Sequence, residues 1–239
     1  MKIDIWSDVI CPFCYIGKRK LELALEKTGI EVEVKWHSFE LNPDAPRSYG
    51  VPLPDMLSRM YGLSPAQALA VLEQEQREAA RVGLDFRWRI AKPGNTFDAH
   101  RLLHLADSKG LGDQAEERFS RGYFTEGQDI GDPEALRRMA VESGLAAEDV
   151  DAVLSGDRFA AEVRADEHEA HELGIRGVPY FVINGHTTIS GARDVEEFER
   201  VLREQADWES DEVLEGVGMC TDGFCEFTPE PGGTGEMAR

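Results

Sequence analysis

Cys11-Pro12-Phe13-Cys14 limits what this chain can become more than any other stretch. Residues 2–6 alternate like a strand and end just before it, while a helical pattern begins inside it, so the pair sits at a strand-to-helix junction. Two thiols spaced Cys-x-x-Cys at such a junction read as a dithiol redox site. The plain alternative for the same spacing is half of a zinc site. A helix N-terminus carries partial positive charge and unpaired N–H groups, which favour a thiolate over a thiol. Cys11 is therefore expected to be the exposed nucleophile, and Cys14 the buried thiol that resolves a mixed disulfide. Pro12 suits the first helical turn, where its missing N–H would have no intrahelical acceptor.

The rest of the chain can be laid out around that junction. Residues 18–27 carry Leu21, Leu23, Ala24 and Leu25 for a packed helix, Gly29 stops it, and residues 31–37 alternate again. Strand, helix and strand within about 35 residues make a βαβ unit with parallel strands. From residue 53 to 173 the pattern is helix after helix, with Ser64-Pro65 and Asp132-Pro133 as cap-plus-proline starts. Further helices are expected from Asn95 or Thr96, from Asp113 and from Asp157. Residues 180–183, Asn184-Gly185 and residues 186–190 then form a hairpin, and residues 194–208 a last helix. The reading is an α/β fold, residues 1–50 with 174–212, split by an all-α insertion at 51–173. Residues 213–239 are rich in Gly, Thr, Pro and Glu and read as a mobile tail, with Cys220 and Cys225 in it.

Charge and length exclude some partners. The formal charge is 26 − 46 = −20, spread along the chain, which would repel a phosphate backbone and argues against nucleic acid. No run approaches the ~20 apolar residues of a membrane span. Met1-Lys2 leads straight into Ile3-Asp4-Ile5-Trp6, without the apolar segment of about 7–15 residues that a secretory signal needs. A cytoplasmic location is the expectation, and four cysteines there point to catalysis, redox sensing or metal instead of structural stapling.

Two motifs together carry a resemblance. Cys11-Pro12-Phe13-Cys14 opens a helix, and Gly177-Val178-Pro179-Tyr180-Phe181 opens a late strand. This resembles the thioredoxin fold, and the helical insertion makes the chain similar to the DsbA family of thiol–disulfide oxidoreductases. The run from Asp8 to Lys18, Phe39-Glu40-Leu41-Asn42-Pro43 and the pattern from Asn95 to His100 most resemble its FrnE-like branch. The resemblance covers about residues 1–212 and implies a cis Val178–Pro179 bond facing the cysteines. It also implies that Pro12, Phe13, Val178 and Pro179 contact substrate. Phe13 stands where strongly oxidising DsbA-type sites carry His, so a less oxidising site is implied.

Other residues have open roles. Cys220 and Cys225 fit spare thiols, a structural disulfide, a second redox pair exchanging with Cys11 and Cys14, or half of a four-thiolate metal set. His37 follows the second strand and either tunes Cys11 or is an ordinary half-buried histidine. His100 and His104 have helical i, i+4 spacing, yet no metal is expected; His100 with Asn95 is read as lining a groove between insertion and core. His168 and His171 read as solvated, and Trp6, Phe13 and Tyr15 as an apolar platform, with Trp6 partly core. The expected activity is reduction, isomerisation or oxidation of protein disulfides, with stress-response duty in a reducing compartment. No bound cofactor is expected; electrons would come from glutathione or a thioredoxin-type system. The alternatives are a glutathione-dependent isomerase or transferase of the 2-hydroxychromene-2-carboxylate isomerase type, and a thiol-based redox sensor or metal binder. The former resembles this chain in architecture but usually has a serine near the Cys11 position and lacks a dithiol. Oligomeric state is left open.

Overall fold

The computed structural model describes residues 1–216. Strand β1 (Lys2–Ser7) leads into helix α1 (Pro12–Thr28), and the chain returns as β2 (Glu33–Ser38). β2 runs parallel to β1, with Lys2 opposite Glu33 and Ser7 opposite Ser38. Gly29 ends α1 at φ 68°, a left-handed conformation that glycine adopts without a Cβ penalty, and its N–H donates to the Leu25 carbonyl at 2.9 Å.

Helices α2 (Leu53–Tyr61), α3 (Pro65–Arg81), α4 (Phe97–Asp107), α5 (Gly112–Phe124), α6 (Pro133–Glu142), α7 (Ala147–Leu154) and α8 (Ala160–Glu172) follow. The capping residues behave as their chemistry requires. Ser64 Oγ accepts from the Gln67 N–H at 3.3 Å while Gln67 Oε1 accepts from the Ser64 N–H at 2.9 Å. Asp132 caps α6 by accepting from Ala135 N at 3.1 Å. Helix α8 begins at Ala160, three residues after the expected Asp157. Arg101, buried, donates to the carbonyls of Val153, Gly156 and Arg158, which holds the segment before α8 out of the helix.

Strands β3 (Tyr180–Ile183) and β4 (Thr187–Ser190) form the hairpin, turning through Asn184 and Gly185 at φ 51° and 76°, and α9 (Val195–Gly216) ends the described chain. The sheet order is β2-β1-β3-β4, with β3 antiparallel to both β1 and β4. Ile3, Ile5, Leu21, Phe181, Phe198 and Leu202 pack the sheet against α1 and α9. Trp6 and Val182 pack the other face against Ala170 and Ile175, at the end of α8. A larger apolar cluster fills the helices between β2 and β3 and also takes in Val9, Tyr15 and Ile16. The first turns of α1 are thus gripped by both halves of the molecule.

Candidate functional site

The dithiol is built from the end of β1 and the start of α1. Cys11 is the N-cap residue of α1, with extended backbone angles (φ −83°, ψ 114°) and Pro12 in the first turn. Its N–H donates to the Asp8 carbonyl at 2.9 Å, and its carbonyl accepts from Cys14 N at 3.1 Å and Tyr15 N at 3.4 Å. Both cysteines are free thiols. Contrary to expectation, Cys11 is not exposed: it is 4% accessible against 3% for Cys14. The cause is overhead. The Val178–Pro179 bond is cis, as the resemblance implies, and the Val178 carbonyl oxygen stands 3.6 Å from Cys11 Sγ, where the thiol donates to it. Phe13, 40% exposed, is what the motif presents to solvent.

Burial pushes the Cys14 thiol well up, and the neighbouring Cys11 sulfur pushes the same way; the Asp8 backbone and the Ser7 hydroxyl oppose them. Cys14 is therefore held as a thiol until something takes its proton. A helical glycine lets the proline approach. A Cβ at Gly17 would lie 3.0 Å from Pro179 Cγ and 3.2 Å from Phe181 Cζ.

Beneath the cysteines lies a buried polar group. Asp8, 1% accessible, accepts from the Leu41 N–H at 2.8 Å, and His100 Nε2 is 3.5 Å from its other oxygen. Ser7 Oγ donates to Glu116 Oε1 at 3.0 Å. Burial raises the Glu116 pKa to about 7 against the opposing pull of His100 and Ser7. Burial works against a charged His100, but Asp8, Glu40 and Glu116 outweigh it and raise its pKa. His100 is 1% accessible, so it lines no open groove; Asn95 instead ties the 40–46 segment by donating to Glu40 Oε2 and the Pro43 carbonyl, both at 3.4 Å.

His37 lies within β2 and bonds two carboxylates. It is buried and stacks on Trp6 with ring centroids 4.3 Å apart. Its Nδ1 bonds Asp166 Oδ1 at 3.0 Å and its Nε2 bonds Asp4 Oδ1 at 2.8 Å. His104 Nε2 meets Asp166 Oδ2 at 3.0 Å, and the Ser38 N–H donates to the same oxygen at 2.7 Å. Against burial, these donors hold the Asp166 carboxyl far below the usual range. The cluster clasps α4 and α8 to the sheet. His37, Asp166 and Glu169 also bring potential ligand atoms within 4.8 Å of one another, but both His37 nitrogens already face carboxylates. The expected aromatic platform does not form: Trp6 and Tyr15 are buried, leaving Phe13 alone at the surface. His168 is at the surface beside Glu172, and Cys220 and Cys225 lie outside the described residues.

Ser7, Asp8, Gly17 and Glu116 had no role assigned from the sequence. Glu116 left a trace there: it interrupts the apolar face that Ala115, Phe119 and Tyr123 give α5.

Residues 2–203 match the family described as DSBA-like thioredoxin domain. The chain is 30% identical over 205 residues to the uncharacterized protein YwbO of Bacillus subtilis, covering 85% of this chain and 96% of that protein. Among solved structures it is similar to a probable DsbA oxidoreductase of Streptomyces coelicolor, at 42% identity and TM-score 0.81, over 85% of this chain and 89% of that one. The cytosolic disulfide reductase DsbM of Pseudomonas aeruginosa shares the fold at 20% identity and TM-score 0.60, over 90% and 100% of the two chains.

Proposed function

This chain belongs to the family of DSBA-like thioredoxin domains, and from that premise we propose that it is a thiol–disulfide oxidoreductase working through Cys11 and Cys14. The observation that carries the reading is the pair itself: two free thiols at the N-terminus of α1, one against the cis Val178–Pro179 bond and one held protonated by burial. The 42% identity to the probable Streptomyces oxidoreductase supports it.

The chemistry balances on the protein's own atoms. The Cys11 thiolate attacks one sulfur of a substrate disulfide; a Cys11–substrate S–S bond forms, the substrate S–S bond breaks, and the leaving thiolate takes a proton. Cys14 loses its proton and attacks Cys11 Sγ, closing the Cys11–Cys14 disulfide and releasing the second substrate thiol. Two electrons pass from the dithiol to the substrate. The reverse sequence oxidises a substrate dithiol, and direction follows from relative reduction potentials, about 30 mV being worth 1.4 kcal/mol. In this reading Pro12, Phe13, Val178 and Pro179 form the substrate face, and the Val178 backbone, next to a residue without an N–H, docks an extended peptide. No resident cofactor is needed; glutathione or a thioredoxin-type system returns the electrons. A cytoplasmic, FrnE-like reductase or isomerase with stress-response duty is the form this takes, and tail cysteines Cys220 and Cys225 are a candidate exchange pair for it.

The isomerase-type alternative is disfavoured by the intact dithiol, which that chemistry does not require. Insulin reduction separates the readings. Full-length protein with glutathione should precipitate insulin B chain, Cys11→Ser should abolish the activity, and Cys14→Ser should stall at a mixed disulfide. Activity surviving Cys11→Ser would overturn the reading, and stoichiometric zinc on the purified protein would favour the metal-binder alternative.

A further inference from the structure

A cavity of about 410 Å³ opens beside the dithiol. Ile10 and Pro12, on either side of Cys11, contribute to one wall, and Leu53, Met56 and Leu72 to others. Leu41, Met60, Tyr61 and Val71 line it too, and all four are large apolar side chains left substantially exposed. Its volume falls in the range of about 300–1,000 Å³ that holds small ligands, and such sites are mostly apolar with a few placed polar groups.

Glu75 of α3 is the one charged side chain lining this cavity. Among the described residues it has no hydrogen-bond or ion-pair partner, and burial alone raises its pKa to about 7. The other polar lining groups are Asn42, Thr96 and the tyrosines Tyr49, Tyr61 and Tyr123; Asn42 Nδ2 already donates to Tyr49 Oη at 2.8 Å. Packing does not explain an acid there. A half-buried carboxyl without a partner is a cost that leucine would avoid and glutamine would lessen. An arriving cation would supply the missing partner, and the overall charge of −20 favours the approach of a positive substrate.

We propose that this cavity is a substrate subsite for an apolar group ending in an ammonium or guanidinium, seated on Glu75 next to the disulfide that Cys11 attacks. The inference rests on the oxidoreductase reading and narrows its substrates to disulfides flanked by an amphipathic cation. That chemistry is shared by a lysine or arginine side chain of a polypeptide and by a small aminoalkyl disulfide.

Three 2-pyridyl disulfides test it: 6-aminohexyl, hexyl and 5-carboxypentyl. Cys11 attacks the alkyl sulfur and expels pyridine-2-thione, which is read by absorbance, with Cys11→Ser protein as blank. At about pH 8 the aminohexyl probe should react about tenfold faster than hexyl, as expected for a charge-assisted contact, and carboxypentyl more slowly than either. Glu75→Gln should lower the aminohexyl-to-hexyl ratio to the small preference that overall charge alone gives; because the ratio is taken within one protein, a general loss of activity cancels. Equal rates in the parent, or a ratio that survives Glu75→Gln, would overturn the proposal. Disulfide-linked peptides with lysine or norleucine beside cysteine form the second arm. A lysine preference assigns the subsite to polypeptides, and its absence beside an intact aminohexyl preference assigns it to small disulfides. Calorimetry with hexylammonium on Cys11→Ser protein, with and without Glu75→Gln, reads the cavity without any redox step. Glu75-dependent binding there, with no probe turned over by the parent, would retain the subsite and discard the oxidoreductase reading.

Discussion

Gly17→Ala separates a packing constraint from helix propensity. Gly17 lies inside α1, and replacing a solvent-facing helical glycine by alanine stabilises a protein by about 1 kcal/mol. Here the new methyl would meet Pro179 Cγ at 3.0 Å and Phe181 Cζ at 3.2 Å. Neither neighbour is a free chain end. Pro179 is a closed ring, and Phe181 is fully buried with its ring edge-on to Phe198 at 5.0 Å. Overpacking of this kind costs about 1–3 kcal/mol, so the net change should be a loss of about 0–2 kcal/mol. Relief requires the proline to move off α1 by a few tenths of an ångström, which disturbs the 3.6 Å approach of Val178 O to Cys11 Sγ. Displacements of about 1 Å at reacting groups cost about 10²-fold, so kcat/KM for disulfide reduction should fall about 3–10-fold. Urea unfolding and insulin turnover measure the two quantities on the same preparation. A gain of about 1 kcal/mol with unchanged kcat/KM, the behaviour of a glycine facing open space, would refute the reasoning.

Two buried acids should give opposite pH signatures. Asp166 has its folded pKa below the unfolded 3.8, so its contribution is complete above that value and disappears as pH falls through the folded value. Asp166→Asn should cost about 2–4 kcal/mol at neutral pH and flatten the acid limb of a denaturation series; an unchanged acid limb would contradict the clasp. Glu116 has its folded pKa raised from 4.5 to about 7, so the native state binds the extra proton and stability declines as pH rises through that window. Glu116→Gln should therefore stabilise the protein more at pH 8 than at pH 4, as read by guanidinium midpoints, and an equal shift at both would remove Glu116 from the titrating group.

Local chemistry explains which parts of the molecule could be read from the chain. The Cys-Pro-Phe-Cys junction, the βαβ period and the Asn184-Gly185 turn each depend on residues close in sequence, and the strands and helices stand near their expected places. The exception is α9, which runs on to Gly216, past the expected end at 208 and into the segment 213–216 expected to be irregular. Helices α2 and α7 were not singled out: each spans only about two turns, with two buried residues, Leu53 and Met56 or Val150 and Val153, too few to set a period. The polar core was illegible because its partners are far apart in the chain. His37 meets Asp166 across 129 positions, and Ser7 meets Glu116 across 109, so neither partner marks the other. The misplaced exposure of Cys11 has this origin too, because the segment that covers it lies 167 residues further on.

The central claim is that Cys11 captures a disulfide and Cys14 releases the product. Reduced full-length protein mixed with one equivalent of a peptide disulfide, acid-quenched and mapped by mass spectrometry, tests it directly. The account predicts a Cys11–Cys14 linked peptide in step with the freed substrate thiols, and a Cys11–substrate adduct alone in Cys14→Ser. Oxidation confined to Cys220 and Cys225, with Cys11 and Cys14 still reduced, would contradict it.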